Sequence, residues 1–530
     1  MASELDLPLI AMRRPYWGDP KTPGTLPDAL ARALVQLGAK PRPAVHPEDI
    51  TLPASALPAA ARTAIEAVVG PDRVATDQDR RVRHTRGYSI SDLLKLRAGD
   101  GSDAPDAVVS PANHDEVVAV LQACAEHRVA VVPFGGGTSV TGGLVPARAG
   151  FAGVIALDLA RLDQLEHLDE VSRTAVLQAG MRGPAVEKAL GAHGFTLGHF
   201  PQSYEAGSIG GYAATRSVGQ SSAGYGRFDE MVVGLTLATP RGTITLGTAP
   251  KSAAGPDLRQ LVLGSEGTLG VITSVTVRLR PVPRQRVFEA WRFESFDAGA
   301  AAVRRLAQDG PLPTVLRLSD EAETAINLAD PAGSASPGGC VTITGYEGEP
   351  DEVTARRAAA TAVLTDAGGT PLGPDLGEAW RVGRFRGAYL RDPLLDAGLL
   401  VETLETATFW SNLTALKAAV TQALTEALGS QGTPPIVLCH LSHVYETGGS
   451  LYFTVGCIQA DDPVAQWRSA KTAASVAIRK AGGTITHHHG VGVDHRQAYH
   501  EEIGPLAVEA LRAVKHTLDP EGILNPGVLL

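Results

Sequence analysis

Cysteine and long apolar runs are scarce in this chain of 530 residues. Its four cysteines, Cys124, Cys340, Cys439 and Cys457, are widely spaced and form no C-x-x-C pair. This pattern predicts free core thiols in a reducing compartment rather than a disulfide framework. No uninterrupted apolar stretch approaches the ~20 residues that a membrane span needs. The first residues mix acids and prolines instead of a cationic start and an apolar run, so we expect no secretory signal and a cytoplasmic location.

Positive charge is also in the minority. The chain has 47 Lys and Arg against 57 Asp and Glu, which gives a net charge of −10. Because an acidic protein gains little from a polyanion, we expect no nucleic acid partner. The histidines show no H-E-x-x-H or similar spacing, and we expect no metal site. The remaining composition is that of an ordinary globular protein, and the length suggests more than one domain.

A β-α-β unit is predicted between residues 106 and 134. Asp106–Val109 and Val129–Phe134 are apolar strand candidates. Asn113 can cap the helix between them, with Glu116 three residues further on as in a capping box. Apolar residues from 117 to 124 then fall on one helical face. A glycine-rich loop follows the second strand directly.

Further elements are predicted along the chain from local patterns. They are a helix at Ser55–Val69 capped by Ser55, a strand at Thr174–Leu177, a helix at Pro184–Leu190, a half-exposed strand through Val275 that ends at Pro281, and a surface loop at Ser334–Gly339.

The glycine-rich loop at Pro133–Gly143 combines five glycines with three hydroxyl side chains. Glycine permits backbone turns with positive φ that aim N–H groups at a phosphate, and hydroxyls can donate to its oxygens. The loop is not a Walker A motif and does not open a helix as G-x-G-x-x-G, which disfavours a nucleoside triphosphate and a Rossmann nicotinamide site. A tight turn between strands remains the alternative interpretation.

Two companion stretches strengthen the ligand hypothesis. Pro201–Ser217 and Gly264–Ile272 are again small, hydroxylated and glycine-rich. Three such loops suit a long dinucleotide that lies extended across them. The candidate cofactor-binding residues are Pro133, Phe134, Gly135, Gly136, Gly137, Thr138, Ser139, Val140, Gly143, Pro201, Gln202, Ser203, Gly207, Ser208, Gly211, Thr215, Arg216, Ser217, Glu266, Gly267, Gly270, Val271 and Ile272.

These three loops resemble the FAD-binding loops of the vanillyl-alcohol-oxidase superfamily, also called the PCMH type. Asp519–Gly527 resembles its C-terminal signature. The resemblance implies an α+β fold, with an FAD-binding domain of two α/β subdomains and a cap domain that contains an antiparallel sheet. Some members attach FAD through a histidine of the first loop. This loop has no histidine, so we expect non-covalent FAD.

Four further motifs resemble one family within the superfamily, alkyldihydroxyacetonephosphate synthase, from about residue 80 to the C-terminus. They are Thr486–Gly492, Arg386–Asp392, Glu402–Thr406 and Gly448–Phe453. The resemblance implies that FAD performs no net redox. A tyrosine removes a proton from C1 of acyl-dihydroxyacetone phosphate, flavin N5 bonds to that carbon, and a fatty alcohol replaces the fatty acid in ether-lipid synthesis.

The same resemblance assigns the catalytic roles. Tyr452 is the acid/base, and because a free phenol has a pKa near ~10, it needs cationic neighbours or hydrogen bonds that favour phenolate. The histidines of the 487–489 run supply these, and Arg391 binds the substrate phosphate. The implied catalytic residues are Tyr452, His487, His488, His489, Arg391, Arg317 and Thr403.

Simpler interpretations remain open for these residues. On a strand, three consecutive histidines alternate faces and cannot converge on one ion. Tyr452 suits a buried strand tyrosine, and Arg391 suits a surface ion pair with Asp392. The alternative function is an FAD-linked oxidoreductase of a 2-hydroxy acid such as lactate or glycolate, or of a specialised metabolite. A flavin-binding protein without catalysis is a third hypothesis.

Four segments are predicted: a helical lead-in at 1–100, the FAD-binding domain at 101–284, the cap at 285–480, and a segment at 481–530 that returns to the flavin site. The resemblance implies a homodimer, and lipid substrates imply contact with a membrane surface. The chain departs from the animal enzymes at Gln202, where aspartate is typical, and at Thr403, where serine is found. Its Gly-Val-Leu-Leu end is not the peroxisomal Ser-Lys-Leu signal.

Overall fold

The computed structural model describes residues 12–18, 24–148, 150–328 and 338–530. The predicted loop at Ser334–Gly339 lies largely outside this range. Within the described residues, none of the helices is both long and apolar enough to cross a membrane. All four cysteines are free and buried, as predicted.

The Ala- and Pro-rich start of the chain forms short elements: α1 (Asp28–Gln36), α2 (Ala59–Val69), β1 (Val74–Ala75), α3 (Gln78–Arg83) and α4 (Ile90–Arg97). The predicted cap at Ser55 is wrong, because α2 begins only at Ala59, after Pro58. The ring of Pro58 disfavours helical backbone at the residue before it, so the helix cannot extend back to Ser55.

The predicted β-α-β unit is confirmed. It consists of β2 (Ala107–Val109), α5 (His114–Glu126) and β3 (Val129–Phe134), and is completed by β4 (Gly153–Asp158). These strands form a sheet in the order β1-β2-β4-β3, in which β2, β4 and β3 are parallel. The Asn113 side chain accepts from the Glu116 N–H, and the Glu116 carboxylate accepts from the Ala112 N–H. The glycine-rich loop leaves the carboxyl end of β3.

A five-stranded antiparallel sheet follows, in the order β5-β6-β10-β8-β9. The strand at Thr174–Leu177, the helix at Pro184–Leu190 and a strand through Val275 are confirmed. The elements are β5 (Leu165–Asp169), β6 (Thr174–Gln178), α6 (Gly183–Gly191), β7 (Phe195–Thr196), α7 (Ile209–Thr215), α8 (Ser222–Tyr225), α9 (Phe228–Met231), β8 (Val232–Thr239), β9 (Gly242–Leu246), α10 (Arg259–Val262), β10 (Val271–Arg278) and β11 (Arg280–Pro281). The predicted half-exposure of the strand through Val275 and its predicted end at Pro281 are wrong. This strand, β10, ends at Arg278, and its residues before Arg278 are buried or half-buried because it lies inside the sheet between β6 and β8.

The next part of the chain builds a seven-stranded antiparallel sheet, in the order β15-β12-β14-β13-β17-β18-β16. Its elements are β12 (Gln285–Phe293), α11 (Phe296–Asp309), β13 (Val315–Ser319), α12 (Glu321–Asn327), β14 (Cys340–Gly348), α13 (Pro350–Asp366), β15 (Thr370–Gly373), α14 (Pro374–Gly383), α15 (Gly387–Asp396), β16 (Leu399–Phe409), α16 (Leu413–Gly429), β17 (Ile436–Val444), β18 (Gly448–Ile458) and α17 (Pro463–Lys480). Apolar residues of α11, α13, α16 and α17 join one face of the sheet in a common core.

The chain ends with α18 (Arg496–Ile503), α19 (Pro505–Leu518) and a return to the first sheet. Leu524 forms a parallel bridge with Val131 beside β3. The Asn525 side-chain amide donates to the carbonyls of Gly143 and Glu266, at 2.9 and 2.8 Å. The last residues therefore fasten two of the three glycine-rich loops to each other. The fold is the predicted α+β class.

The buried carboxylate of Asp519 holds this return in place, so we expect Asp519→Asn to destabilise the protein. Asp519 is 1% exposed and accepts from the Ile523 and Leu524 N–H groups and from Lys515. Losing its charge leaves Lys515 without its ionic partner, at a cost of about 2–4 kcal/mol. Thermal unfolding measures the loss as a lower Tm. The control is Glu521→Gln, which breaks an exposed pair with Arg128 and should change little. Equal Tm values for both variants would contradict the assignment.

Candidate active site

A cavity of about 980 Å³ lies between the glycine-rich loops and the open face of the seven-stranded sheet. Of the candidate cofactor residues, all except Phe134 and Arg216 line it. Phe134 is instead buried at the end of β3, with its ring 4.5 Å from that of His84. The Arg216 guanidinium donates to the Leu263 and Gln260 carbonyls and borders a different cavity. Strand packing and backbone hydrogen bonds thus keep these two side chains from the main cavity.

The first glycine-rich loop lies against the second without room for side chains. A Cβ on Gly135 would be 2.2 Å from the Ser208 hydroxyl, and one on Gly136 would be 2.1 Å from the Ala206 carbonyl. Gly137 has φ +70°, in the region that favours glycine. Hydroxyl-bearing residues such as Thr138 and Ser217 line the cavity beside this backbone. A cradle of close backbone and hydroxyls suits the phosphates of a dinucleotide.

Because the Gly136 backbone lies in contact with the second loop, we expect Gly136→Ala to lose the cofactor. The added methyl would separate the two loops that line the cavity. The measurement is the flavin absorbance of the purified protein. Gly383→Ala is the matched control, since Gly383 also lines the cavity but a Cβ there meets no atom within 4 Å. Full flavin content in both variants would show that the close loop contact is unimportant.

Tyr452 stands at the centre of the cavity face of the sheet. Its cross-strand partners are His440 on β17 and Glu405 on β16. The His440 ring stacks on the Tyr452 ring, with centroids 4.9 Å apart. Because side chains alternate along a strand, every second residue reaches this face. Arg317, Ser442 and Thr403 reach the cavity in the same way.

Arg317 belongs to a buried ionic cluster beneath Tyr452. Its guanidinium donates to Glu323 at 2.8 Å and lies 3.0 Å from His440 Nδ1, which is 3.1 Å from the same carboxylate. Burial would raise the pKa of Glu323, but Arg317 and His440 outweigh it and lower the pKa. Glu323 thus fixes His440 under the tyrosine. No local pattern marks Glu323 as a site residue, because only the fold brings α12 beside β17.

Arg391, on α15, enters the cavity from the edge of the sheet. Its guanidinium lies 3.5 Å from the Glu402 carboxylate. The alternative surface pair with Asp392 is wrong, because Asp392 accepts from the Trp17 N–H and pairs with Arg97. On a helix, residues i and i+1 do not face each other. Arg391 is therefore paired with Glu402 rather than with its neighbour, and it lines the same cavity as Tyr452 and Thr403.

The histidine run forms a turn around a buried carboxylate. The main-chain N–H groups of His487, His488 and His489 donate to Glu405 at 2.7, 3.1 and 3.0 Å, and the Thr486 hydroxyl donates at 2.6 Å. Burial would raise the pKa of Glu405, but the surrounding histidines and Thr486 lower it. The prediction that these residues alternate along a strand is wrong, because Glu405 holds three successive N–H groups at one point.

This turn places the imidazoles of His488 and His489 near Tyr452 and that of His487 near Tyr445. The rings of His488 and His489 lie 6.0 and 5.4 Å from that of Tyr452 and line the main cavity. His487 lies farther away, and its Nε2 is 2.6 Å from the Tyr445 hydroxyl. Glu405, His487 and His488 offer ligand atoms within 4.8 Å of one another. However, both Glu405 oxygens already accept hydrogen bonds, which describes a hydrogen-bonded cluster rather than a vacant metal site.

The electrostatics around Tyr452 differ from the expected cationic surroundings. Burial lowers the pKa of each histidine in the run, that of His489 to about 3, so these imidazoles are neutral. Burial, together with the Glu402 and Glu405 carboxylates, also raises the pKa of Tyr452 to about 12, although the Thr403 hydroxyl and, less strongly, Arg391 act to lower it. Arg391 is therefore the cation that favours the phenolate, and the resting histidines surround Tyr452 as neutral imidazoles rather than as cations.

The far end of the cavity is apolar. Alternate residues of β13, β14 and β17 line it together with residues of α14. They include Val315, Val341, Ile343, Leu376, Trp380 and Leu438. The sequence predicted no such lining, because these residues come from four separate elements. The cavity thus joins a dinucleotide cradle, a polar centre at Tyr452 and a hydrocarbon-like end.

Two protein families match successive parts of the chain. The family described as "FAD binding domain" matches residues 105–247, and the family described as "FAD linked oxidases, C-terminal domain" matches residues 282–529. An alkyldihydroxyacetonephosphate synthase of Dictyostelium discoideum is 32% identical over 87% of this chain and 79% of its own length. The first two glycine-rich loops lie in the part that matches the FAD-binding family, and the chain binds FAD.

Solved structures show the same architecture. An alkyldihydroxyacetonephosphate synthase structure aligns with a TM-score of 0.81 at 29% identity, over 93% of this chain and 91% of that one. A structure of p-cresol methylhydroxylase with bound substrate aligns with a TM-score of 0.65 at 17% identity, over 88% of this chain and 95% of that one. The second likeness is one of fold, and it confirms the predicted PCMH-type architecture.

Proposed function

Because the chain belongs to the alkyldihydroxyacetonephosphate synthase family of FAD-dependent enzymes, we propose that it exchanges the acyl group of acyl-dihydroxyacetone phosphate for a fatty alcohol without net redox. The observation that carries this proposal is the continuous cavity. It joins the glycine-rich loops to Tyr452 and Arg391 and continues into an apolar end. Acyl and alkyl chains need such an end, whereas a small 2-hydroxy acid does not.

The side chains around Tyr452 suit the proton transfers of this exchange. Tyr452 takes the proton from C1 of the substrate, and Arg391 and the Thr403 hydroxyl favour the phenolate that must form. Arg391 also binds the substrate phosphate, for which a planar guanidinium offers paired donors. Bound FAD supplies the electron-accepting ring that stabilises the carbon from which the proton leaves. His488 and His489, as neutral imidazoles, hydrogen-bond to substrate oxygens.

The direct test supplies acyl-dihydroxyacetone phosphate and a long-chain alcohol under anaerobic conditions. We expect ether product from the native holoenzyme, and a loss of about 10²–10⁴ in kcat for Tyr452→Phe, the range for a general acid/base. Tyr346→Phe is the control, because Tyr346 is buried in the same sheet outside the cavity lining. Because the pKa of Tyr452 is raised to about 12, phenolate is scarce at neutral pH, and kcat/KM should rise about tenfold per unit between about pH 7 and pH 9.

Absence of ether product with FAD bound would refute the exchange. The competing oxidoreductase is detected in the same preparation by adding lactate or glycolate and following the flavin absorbance. Bleaching by a hydroxy acid, with no ether formed, would assign the cavity to oxidation instead. A flat pH profile would remove Tyr452 from the proton transfer.

The apolar end of the cavity predicts a dependence on alcohol length. Each buried methylene contributes about 0.8 kcal/mol, which corresponds to about a fourfold rise in kcat/KM per carbon until the cavity is filled. Val341→Asp would place a charge among the apolar lining residues and should flatten this dependence. The measurement is kcat/KM over a series of primary alcohols. The same value for short and long alcohols in the native enzyme would contradict lipid binding at this end.

We propose that the FAD is held without a covalent bond, because the first glycine-rich loop carries no histidine. Contacts from three loops then provide the affinity. Acid denaturation of the purified protein should release intact FAD into the supernatant, where its absorbance spectrum identifies it. Flavin that remains with the precipitated chain would contradict this proposal.

A further inference from the structure

A second cavity, of about 420 Å³, lies on the other side of the histidine turn. His488 borders both this cavity and the main one, whereas His487 belongs to the lining of the second. The rest of its lining includes Arg227, Thr486, Tyr499 and Gln260. Gln260 is exposed, so this cavity reaches the protein surface. The histidine turn is therefore a thin partition between the reacting centre and a separate space.

A hydrogen-bonded path crosses this partition. His488 Nδ1 lies 3.0 Å from His487 Nδ1, and His487 Nε2 lies 2.6 Å from the Tyr445 hydroxyl. In a neutral imidazole one nitrogen donates and the other accepts. A proton that reaches His487 at Nδ1 can therefore leave from Nε2 to the Tyr445 hydroxyl, and the ring needs no rotation. Tyr445 fixes the ring in the orientation that makes this possible.

The proposed exchange leaves one proton to remove. The bond between C1 and the acyl oxygen breaks, and its electron pair leaves with the carboxylate. The bond between C1 and the alkyl oxygen forms from a lone pair of the alcohol, which loses its hydroxyl proton. The proton that Tyr452 takes from C1 is returned to C1. A carboxylic acid with a pKa near ~4–5 is ionised at neutral pH, so each turnover releases one net proton inside a buried cavity.

We propose that His488, His487 and the Tyr445 hydroxyl conduct this proton from the main cavity toward the second one, which is lined by Arg227, the hydrogen-bond partner of Tyr445. This inference rests on the proposed exchange, and it assigns the second cavity a separate task as the proton exit. The main cavity contains the flavin, the substrate and the apolar chains at that moment. A route through the histidine turn keeps the proton away from all three.

The charged groups around the path favour transfer of the proton through His487 over its retention on that ring. Glu405 attracts a proton toward His488, and the two side chains lie 3.6 Å apart. Arg227, which is paired with Asp229, and His443 lie near His487 on the other side. Burial lowers the pKa of His487 well below its usual value, Glu405 opposes this, and Arg227 and His443 add to it. A proton is thus accepted next to Glu405 and does not remain on His487.

The experiment measures ether formation by the holoenzymes of Tyr445→Phe and His487→Gln in H₂O and D₂O. Both variants keep the main-chain N–H groups that hold Glu405. If the relay operates, kcat falls at least about tenfold for each variant, because proton release becomes rate-limiting. The solvent isotope effect on kcat becomes larger in the same two variants. Added imidazole restores activity to His487→Gln through the second cavity. Tyr499→Phe is the matched control, since it removes a hydroxyl from the same cavity lining but outside the path.

The outcomes separate the relay from the reaction on which it rests. If the native enzyme forms no ether, the proposed function fails and the relay fails with it. If the native enzyme forms ether and Tyr445→Phe matches Tyr499→Phe in kcat and in solvent isotope effect, the reaction stands and the relay is overturned. Flavin content and Tm are compared for all variants. If His487→Gln does not fold, the isotope effect of Tyr445→Phe still decides the question.

Discussion

The site depends on one buried carboxylate. Glu405 lies on the edge strand β16 and accepts the main-chain N–H groups of three successive histidines and the Thr486 hydroxyl. A buried carboxylate without such donors would be costly, so the strand and the turn stabilise each other. This interaction fixes where the imidazoles lie relative to Tyr452. It also explains why three consecutive histidines can serve two different cavities.

Charge is distributed unevenly around the tyrosine. Its imidazole neighbours are neutral because burial disfavours their charged forms, and the nearby cation is Arg391. A phenol in these surroundings is a weak base until substrate and flavin complete the site. In the second buried ionic cluster, the positive charge of Arg317 is balanced by the Glu323 carboxylate, which also contacts His440. The cluster therefore orients the stacked His440 ring and adds little net charge to the cavity.

The two halves of the cavity follow different physical rules. The flavin side is built from glycine backbone packed so closely that a single Cβ would collide, and the C-terminal residues join its loops through Asn525. The substrate side is one face of a pleated sheet, and both polar and apolar side chains of its strands line the cavity. Proton transfer, phosphate binding and chain binding can therefore occupy adjacent positions in one space.

The sequence by itself determined the β-α-β unit, the glycine-rich loops and the family, because strand periodicity and glycine requirements are local. The tertiary structure alone decided that Phe134 and Arg216 face away from the main cavity and that Arg391 turns from Asp392. It also decided that Glu405 gathers the histidines, since β16 and the 487–489 run are far apart in the chain. Contacts between such distant segments, and the neutral charge state that their burial imposes, leave no trace in a local pattern.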